Sequence, residues 1–189
     1  MRAFLALPLQ SETAANLFER RELLRGGFKK VRWVPPCNLH ITLFFLGDIS
    51  RAQAEEIGLL LEDLSERFIS FPIELIGPGQ FPPKGKPRII YEGLGKGAAE
   101  AKRIYSLLMP RLDNIVNLEK RKYIPHITLG RTQNDSTCRF LDDNIYHLET
   151  VSGKISGMTL FESLLRSTGA EYYPVKQITF KEEENHEGR

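Results

Sequence analysis

The chain has 189 residues, 41% of them hydrophobic and 26% charged, and its 26 Lys and Arg against 24 Asp and Glu leave a net charge of +2. This composition suits a soluble globular protein of one large domain or two small lobes, and it excludes disordered, collagen-like and disulfide-dense classes. No apolar run approaches the roughly 18 residues of a membrane span, so no membrane association is expected.

The N-terminal stretch "MRAFLALPLQ" carries one basic residue and a short apolar run; it reads as a first strand, not a signal peptide. In chain order, alternation predicts strands near 2–8, 39–46, 71–77, 88–93, 125–131, 151–161 and 171–180. Helical spacing predicts helices over 11–25, 51–68, 98–112 and 136–146. In the second helix Ile57, Leu60, Leu61, Leu64 and Phe68 form one apolar stripe, with Ser50 as its N-cap. Gly and Pro concentrate in "GPGQFPPKGKP" at 77–87, the expected connection between two halves of the chain. The tail 181–189 is charged and is expected to be disordered. Cys37 and Cys138 form no motif; they read as structural thiols of a reducing, cytoplasmic compartment.

Two stretches share four letters: "HITL" at 40–43 and again at 126–129. The offset of 86 residues also sets Arg2 against Arg88 and "AFL" at 3–5 against "IIY" at 89–91, while Phe81 answers Phe161 at an offset of 80. The chain therefore reads as an internal duplication, about 1–82 and about 88–180, folded into one bilobal domain over 1–180. In a strand, alternate side chains share a face. Leu39, Ile41 and Leu43 fall on the core face, and His40, Thr42 and Phe44 on the open face. His126 and Thr128 share an open face in the second copy. Arg131 falls opposite His126 on an ideal strand and reaches the site only if the strand twists or ends there.

Two imidazoles titrating near neutrality can act as a base and an acid, and threonine hydroxyls can hold non-bridging phosphate oxygens. The set suffices for in-line displacement at phosphorus, and no metal or other cofactor is expected. Zinc would need further ligands, and the nearest acids, Asp48 and Asp135, stand off ligand spacing. No nucleophile elbow for Ser or Cys chemistry is present, and His147 and His186 read as incidental. Basic clusters at 28–33, 82–88 and 119–123 read either as solvated surface or as a positive field that attracts a phosphate-bearing substrate.

These residues resemble the two-histidine phosphoesterases, marked by a twice-repeated His-x-Thr/Ser-x pattern, and most closely the RNA 2′,3′-cyclic phosphodiesterases, also called 2′-5′ RNA ligases. The likeness runs through "MRAFLALPL", "WVPPCNLHITLFFLGD", "KPRIIYEGL", "YIPHITLGR" and "LFESLLRSTGAEYYPV". It implies an α+β, bilobal fold: two pseudo-two-fold-related lobes, each an antiparallel sheet with outer helices, and a central cleft carrying both motifs. The implied reaction opens a 2′,3′-cyclic phosphate at an RNA end to a 2′-phosphate. Carried over, His40 and His126 are the catalytic pair, Thr42 and Thr128 hold the phosphate oxygens, and Arg131 contacts phosphate. His40 is assigned as acid at the leaving oxygen and His126 as base toward water. Phe44, which aligns with Gly130, is taken either as a stacking platform for the nucleobase or as core packing. The partner is an RNA or nucleotide with a cyclic phosphate end, and the chain is expected to act as a monomer. Rival readings are a non-catalytic module that grips RNA 3′ ends, a phosphodiesterase of 2′-5′ oligonucleotides or other cyclic nucleotides, and reverse 2′-5′ ligation.

Overall fold

The structure is a computed structural model and describes residues 1–28, 30–119, 122–133, 149–167 and 169–182. The chain runs β1 (Arg2–Pro8), α1 (Ser11–Arg25), β2 (Val31–Trp33), β3 (His40–Asp48), α2 (Arg51–Leu64), β4 (Phe71–Phe81), β5 (Ile89–Leu94) and α3 (Ala98–Ile115). It continues through β6 (His126–Thr132), β7 (Val151–Ile155), β8 (Gly157–Arg166) and β9 (Gly169–Thr179). The helix expected at 136–146 lies outside the described residues, as do Cys138, His147 and His186. Of the tail expected to be disordered, residues 181 and 182 are seated instead: Lys181 bridges Ile69, and the Glu182 carboxylate accepts from the Ser70 hydroxyl; residues 183–189 lie outside the described residues.

Helix α2 starts as its sequence dictates. The Ser50 hydroxyl accepts from the Gln53 N–H at 3.2 Å and the Gln53 side chain accepts from the Ser50 N–H at 2.9 Å, a reciprocal capping box. It ends at Leu64, and a short 3₁₀ turn over 65–67 delivers Phe68 to the core.

All nine described strands join in one antiparallel array of order β7-β4-β5-β6-β3-β1-β8-β9, with β2 on the edge of β6 beside β3. The two sheets expected from sequence are thus halves of one path, and they meet at a single pair, Ile41 with Ile127. Each half takes an inner strand from the other end of the chain: β4 pairs with β5 in the His126 half, and β8 with β1 in the His40 half. The one strand expected at 151–161 is two. At Ser156 the chain leaves β4 and turns to β1, and the Ser156 carbonyl is capped by the Phe180 N–H.

Two bulges decide which side chains face out. Ala6 pairs with Thr42 and Leu5 with Phe44, so Leu43 has no partner across the ladder. Tyr91 pairs with Thr128 and Ile90 with Gly130, so Leu129 is skipped in the same way. One extra residue in a strand inverts the alternation beyond it. Leu43 and Phe44 are therefore both buried, and Phe45 faces out with 68% of its surface exposed. Gly130, the counterpart of Phe44, carries no side chain because β2 closes over it; a Cβ there would lie 2.7 Å from Val31.

Helix α1 sends two arginines inward. Arg21 donates to the Val34 carbonyl and lies over Phe18, and Arg20 meets Glu92 of β5 at 3.3 Å. Glu92 is wholly buried; one carboxylate oxygen accepts from the Gly77 N–H and the other has no partner among the described residues. Burial outweighs the attraction of Arg20 and the Gly77 hydrogen bond and raises the Glu92 carboxyl to about 7. An acid whose folded pKa exceeds its unfolded one binds the proton more tightly when folded, so stability falls as pH rises from about 4.5 to about 7. The wild-type stability margin over Glu92→Gln, measured by urea unfolding, is expected to shrink across that window. A margin independent of pH would show that Glu92 ionises normally in the fold.

Candidate active site

The motif strands β3 and β6 are neighbours in the sheet. Extending the Ile41–Ile127 register sets His40 against Thr128 and Thr42 against His126, with all four side chains on the face away from Ile41 and Ile127. The histidines are then diagonal neighbours, with Cα atoms about 7–8 Å apart in an ideal ladder. They meet side by side because the fully buried Ile41 and Ile127 place the apolar sides of both strands in one core.

Both imidazoles are held alike. His40 Nδ1 lies 2.7 Å from the Asn38 carbonyl, and His126 Nδ1 lies 2.7 Å from the Ile124 carbonyl, each two residues upstream. A carbonyl only accepts, so each Nδ1 carries the proton and each neutral ring keeps a lone pair on Nε2. His40 Nε2 accepts from the Thr42 hydroxyl at 3.0 Å. The Asn38 side chain donates to the Ala170 carbonyl of β9 at 2.9 Å, which ties the β8–β9 hairpin to the segment that orients His40.

Aromatic rings wall each imidazole. Phe4 stacks on His40 at 5.0 Å and Tyr172 meets it edge-on at 5.6 Å; Phe81 and Tyr91 meet His126 edge-on at 5.1 and 5.3 Å. Phe161 lies 6.4 Å from His40, so the two phenylalanines matched in the sequence flank the two histidines. A cavity of about 230 Å³ opens over the His40 half, lined by Arg2, Phe4, Asn38, His40, Thr42, Phe45, Thr128, Arg131 and Tyr172, among others.

Five of the six expected site residues come together: His40, Thr42, Thr128 and Arg131 line this cavity, and His126 adjoins it across the β3–β6 register. Arg131 arrives by the bulge at Leu129, which turns it to the His126 face. Phe44 is corrected. The bulge at Leu43 turns it inward, where it stacks on Tyr105 of α3 at 4.5 Å, and Phe45 takes its place in the cavity. Tyr172, Phe45 and Asn38 go unnoticed in the sequence, because an inserted bulge residue and a distant hairpin leave no periodic signal. Among the described residues, no three His, Cys, Asp or Glu side chains group so as to hold a metal ion. No described helix is long and apolar enough to cross a membrane.

Burial in this aromatic surround lowers His40 to about 4; the hydrogen bond to Asn38 opposes the shift, and positive charge at His126 and Arg131 adds to it. His126 is lowered for the same leading reason, with Arg131 again contributing. Both shifts favour the neutral rings at pH 7.

The model of the LigT-like phosphoesterase family matches residues 7–91. The RNA 2′,3′-cyclic phosphodiesterase of Aquifex aeolicus (strain VF5) is 31% identical over 154 residues, covering 78% of this chain and 80% of its own. That of Aeropyrum pernix is 34% identical over 145 residues, covering 75% and 81%. Among solved structures, TT0787 of Thermus thermophilus superposes with a TM-score of 0.77 at 25% identity, over 97% of this chain and 100% of its own. Escherichia coli LigT in its apo form shares the fold with a TM-score of 0.76 at 22% identity, over 95% and 97% of the two chains. The chain belongs to the LigT-like, two-histidine phosphoesterase family.

The His40 ring is expected to titrate near about 4 in proton NMR of the free protein, and to move upward when inorganic phosphate places an anion beside it. A midpoint near its ordinary value without phosphate would mean that the ring is solvated, against the packing described.

Proposed function

We propose that this chain hydrolyses 2′,3′-cyclic phosphate ends of RNA to 2′-phosphomonoesters, with His40 and His126 as the acid/base pair. The observation that carries the reading is the matched seating of two imidazoles on one face, each with Nδ1 tied to a backbone carbonyl, so that Nε2, beside the Thr42 hydroxyl in His40, is the nitrogen with a lone pair to take a proton. The relatives' activity on RNA 2′,3′-cyclic phosphates supports the substrate class.

The phosphoryl group sits over the diagonal between the histidines. Thr42 and Thr128 hold its non-bridging oxygens, whose charge must be stabilised through the transition state, and the positive charge of Arg131 stands farther along the same face. His126 takes a proton from the attacking water, which forms the new P–O bond. His40 gives its proton to the 3′ oxygen as the P–O3′ bond breaks, leaving a 2′-phosphate and a 3′ hydroxyl. His40 sits deeper among aromatic rings, so its imidazolium, formed once the substrate anion offsets the cost of burial, is a strong proton donor. The same groups run in reverse join a cyclic end to a 5′ hydroxyl, and water favours hydrolysis. Both motifs come from one chain, which supports a monomer as the working unit.

Purified protein should open adenosine 2′,3′-cyclic phosphate and a cyclic-ended RNA oligomer in the presence of EDTA, giving the 2′-phosphate. His40→Ala and His126→Ala should each lower kcat by roughly 10²-fold or more. Wild-type turnover in either variant would remove that residue from the mechanism, and tight RNA binding without product would leave only a binding module. A second check uses Phe45→Ala, which is expected to raise KM several-fold, because an exposed ring beside the phosphoryl site offers stacking worth about 1–3 kcal/mol per base. Unaltered KM would place the base elsewhere.

A further inference from the structure

The edge of β6 that carries the motif continues past Thr128 to a second polar feature. Beyond the inserted turn at 34–39, strand β2 pairs with the end of β6, and Arg32 lies directly opposite Arg131. Cross-strand partners share a face, so Arg32 stands on the face that holds His40, Thr42, His126 and Thr128. Both arginines are exposed, and among the described residues neither has a carboxylate partner. Like charges set opposite each other destabilise a sheet, and an anion seated between them reverses the sign.

The spacing is also specific. Arg131 follows Thr128 by three residues, of which Leu129 is the bulge. The two open-face positions are thus about 7 Å apart, two strand steps, comparable to the separation of successive phosphates along an RNA strand. At a cyclic 3′ end the neighbouring phosphate is the one on the 5′ side of the terminal nucleoside. The basic segment 82–88 flanks the same place, since the Arg88 and Pro87 carbonyls accept from the backbone N–H and hydroxyl of Thr132. In the matching position at the other end of the motif pair, Phe45 replaces the arginine, so the surface has a cationic and an aromatic end.

We propose that Arg32 and Arg131 form a subsite for the phosphate on the 5′ side of the terminal nucleoside, so that the preferred substrate is the end of an RNA chain and not a free cyclic mononucleotide. This rests on the cyclic phosphodiesterase reading above and adds the direction in which the RNA leaves the site.

The test compares three substrates: adenosine 2′,3′-cyclic phosphate, the same nucleotide bearing a 5′-phosphate, and a short RNA oligomer ending in a cyclic phosphate. In the wild type, the 5′-phosphate is expected to raise kcat/KM about 10-fold or more, chiefly through KM, as a charge-assisted contact does. The gain from the added phosphate should shrink as salt is raised, because a contact between exposed charges is screened. Arg32→Ala should bring the ratio of the phosphorylated to the unphosphorylated nucleotide close to one, and Arg32→Lys should restore part of it. A wild-type ratio near one overturns the subsite, even where all three substrates turn over and the reaction itself stands. An undiminished ratio in both Arg32 variants does the same. No turnover of any substrate by the wild type overturns the reaction and the subsite together.

Discussion

Two buried isoleucines, Ile41 and Ile127, form the one ladder pair that joins the halves of this molecule. Burying their side chains on the core face commits the alternate positions to the opposite face, and these carry the imidazoles and hydroxyls. A one-residue slip at this junction would bury His40 and His126 and expose the isoleucines. The hydrophobic effect thus selects the register, and the register assembles the chemistry. Two buried isoleucine side chains contribute roughly 3–6 kcal/mol toward holding that choice.

The bulges at Leu43 and Leu129 extend the same logic. Without them, Phe45 and Arg131 would point into the core, where a guanidinium would need a buried partner. With them, each motif gains a third outward group after its histidine and threonine. The two groups differ, one aromatic and one cationic, so an arrangement with near two-fold symmetry around the phosphoryl position acquires direction. A substrate with a base at one side and a phosphate chain at the other can use such direction.

Much of this is legible in the sequence. The paired His-Ile-Thr-Leu stretches, their alternation, the Ser50 cap and the start of the helix at Arg51 follow from period and capping chemistry alone, whereas its expected end at 68 overshoots, since the helix stops at Leu64 and a 3₁₀ turn follows. Phe44 misleads because alternation assumes an unbroken ladder, and whether Leu43 is skipped depends on β1, a partner remote in the chain. The placement of Arg131 is ambiguous for the same reason. The break at Ser156 is hidden because both flanking segments are good strands; only the separate demands of β4 and β1 divide them. The inward arginines of α1 run against the rule that charged residues face water, and most of their partners, Glu92, the Glu149 carbonyl and the Val34 carbonyl, are distant in sequence or set in a loop.

The exchange of inner strands has a mechanical consequence. Strand β4 is held between β5 and β7, and β8 between β1 and β9, so each half is completed by a segment from the other end of the polypeptide. The halves are interlocked in the manner of two clasped hooks. Neither can be peeled away while the other stays whole, and a cut in the segment 82–88 would yield fragments that regain their shape only by recombining. Loss of order should therefore be all-or-none, with no surviving half-molecule to expose a lone histidine.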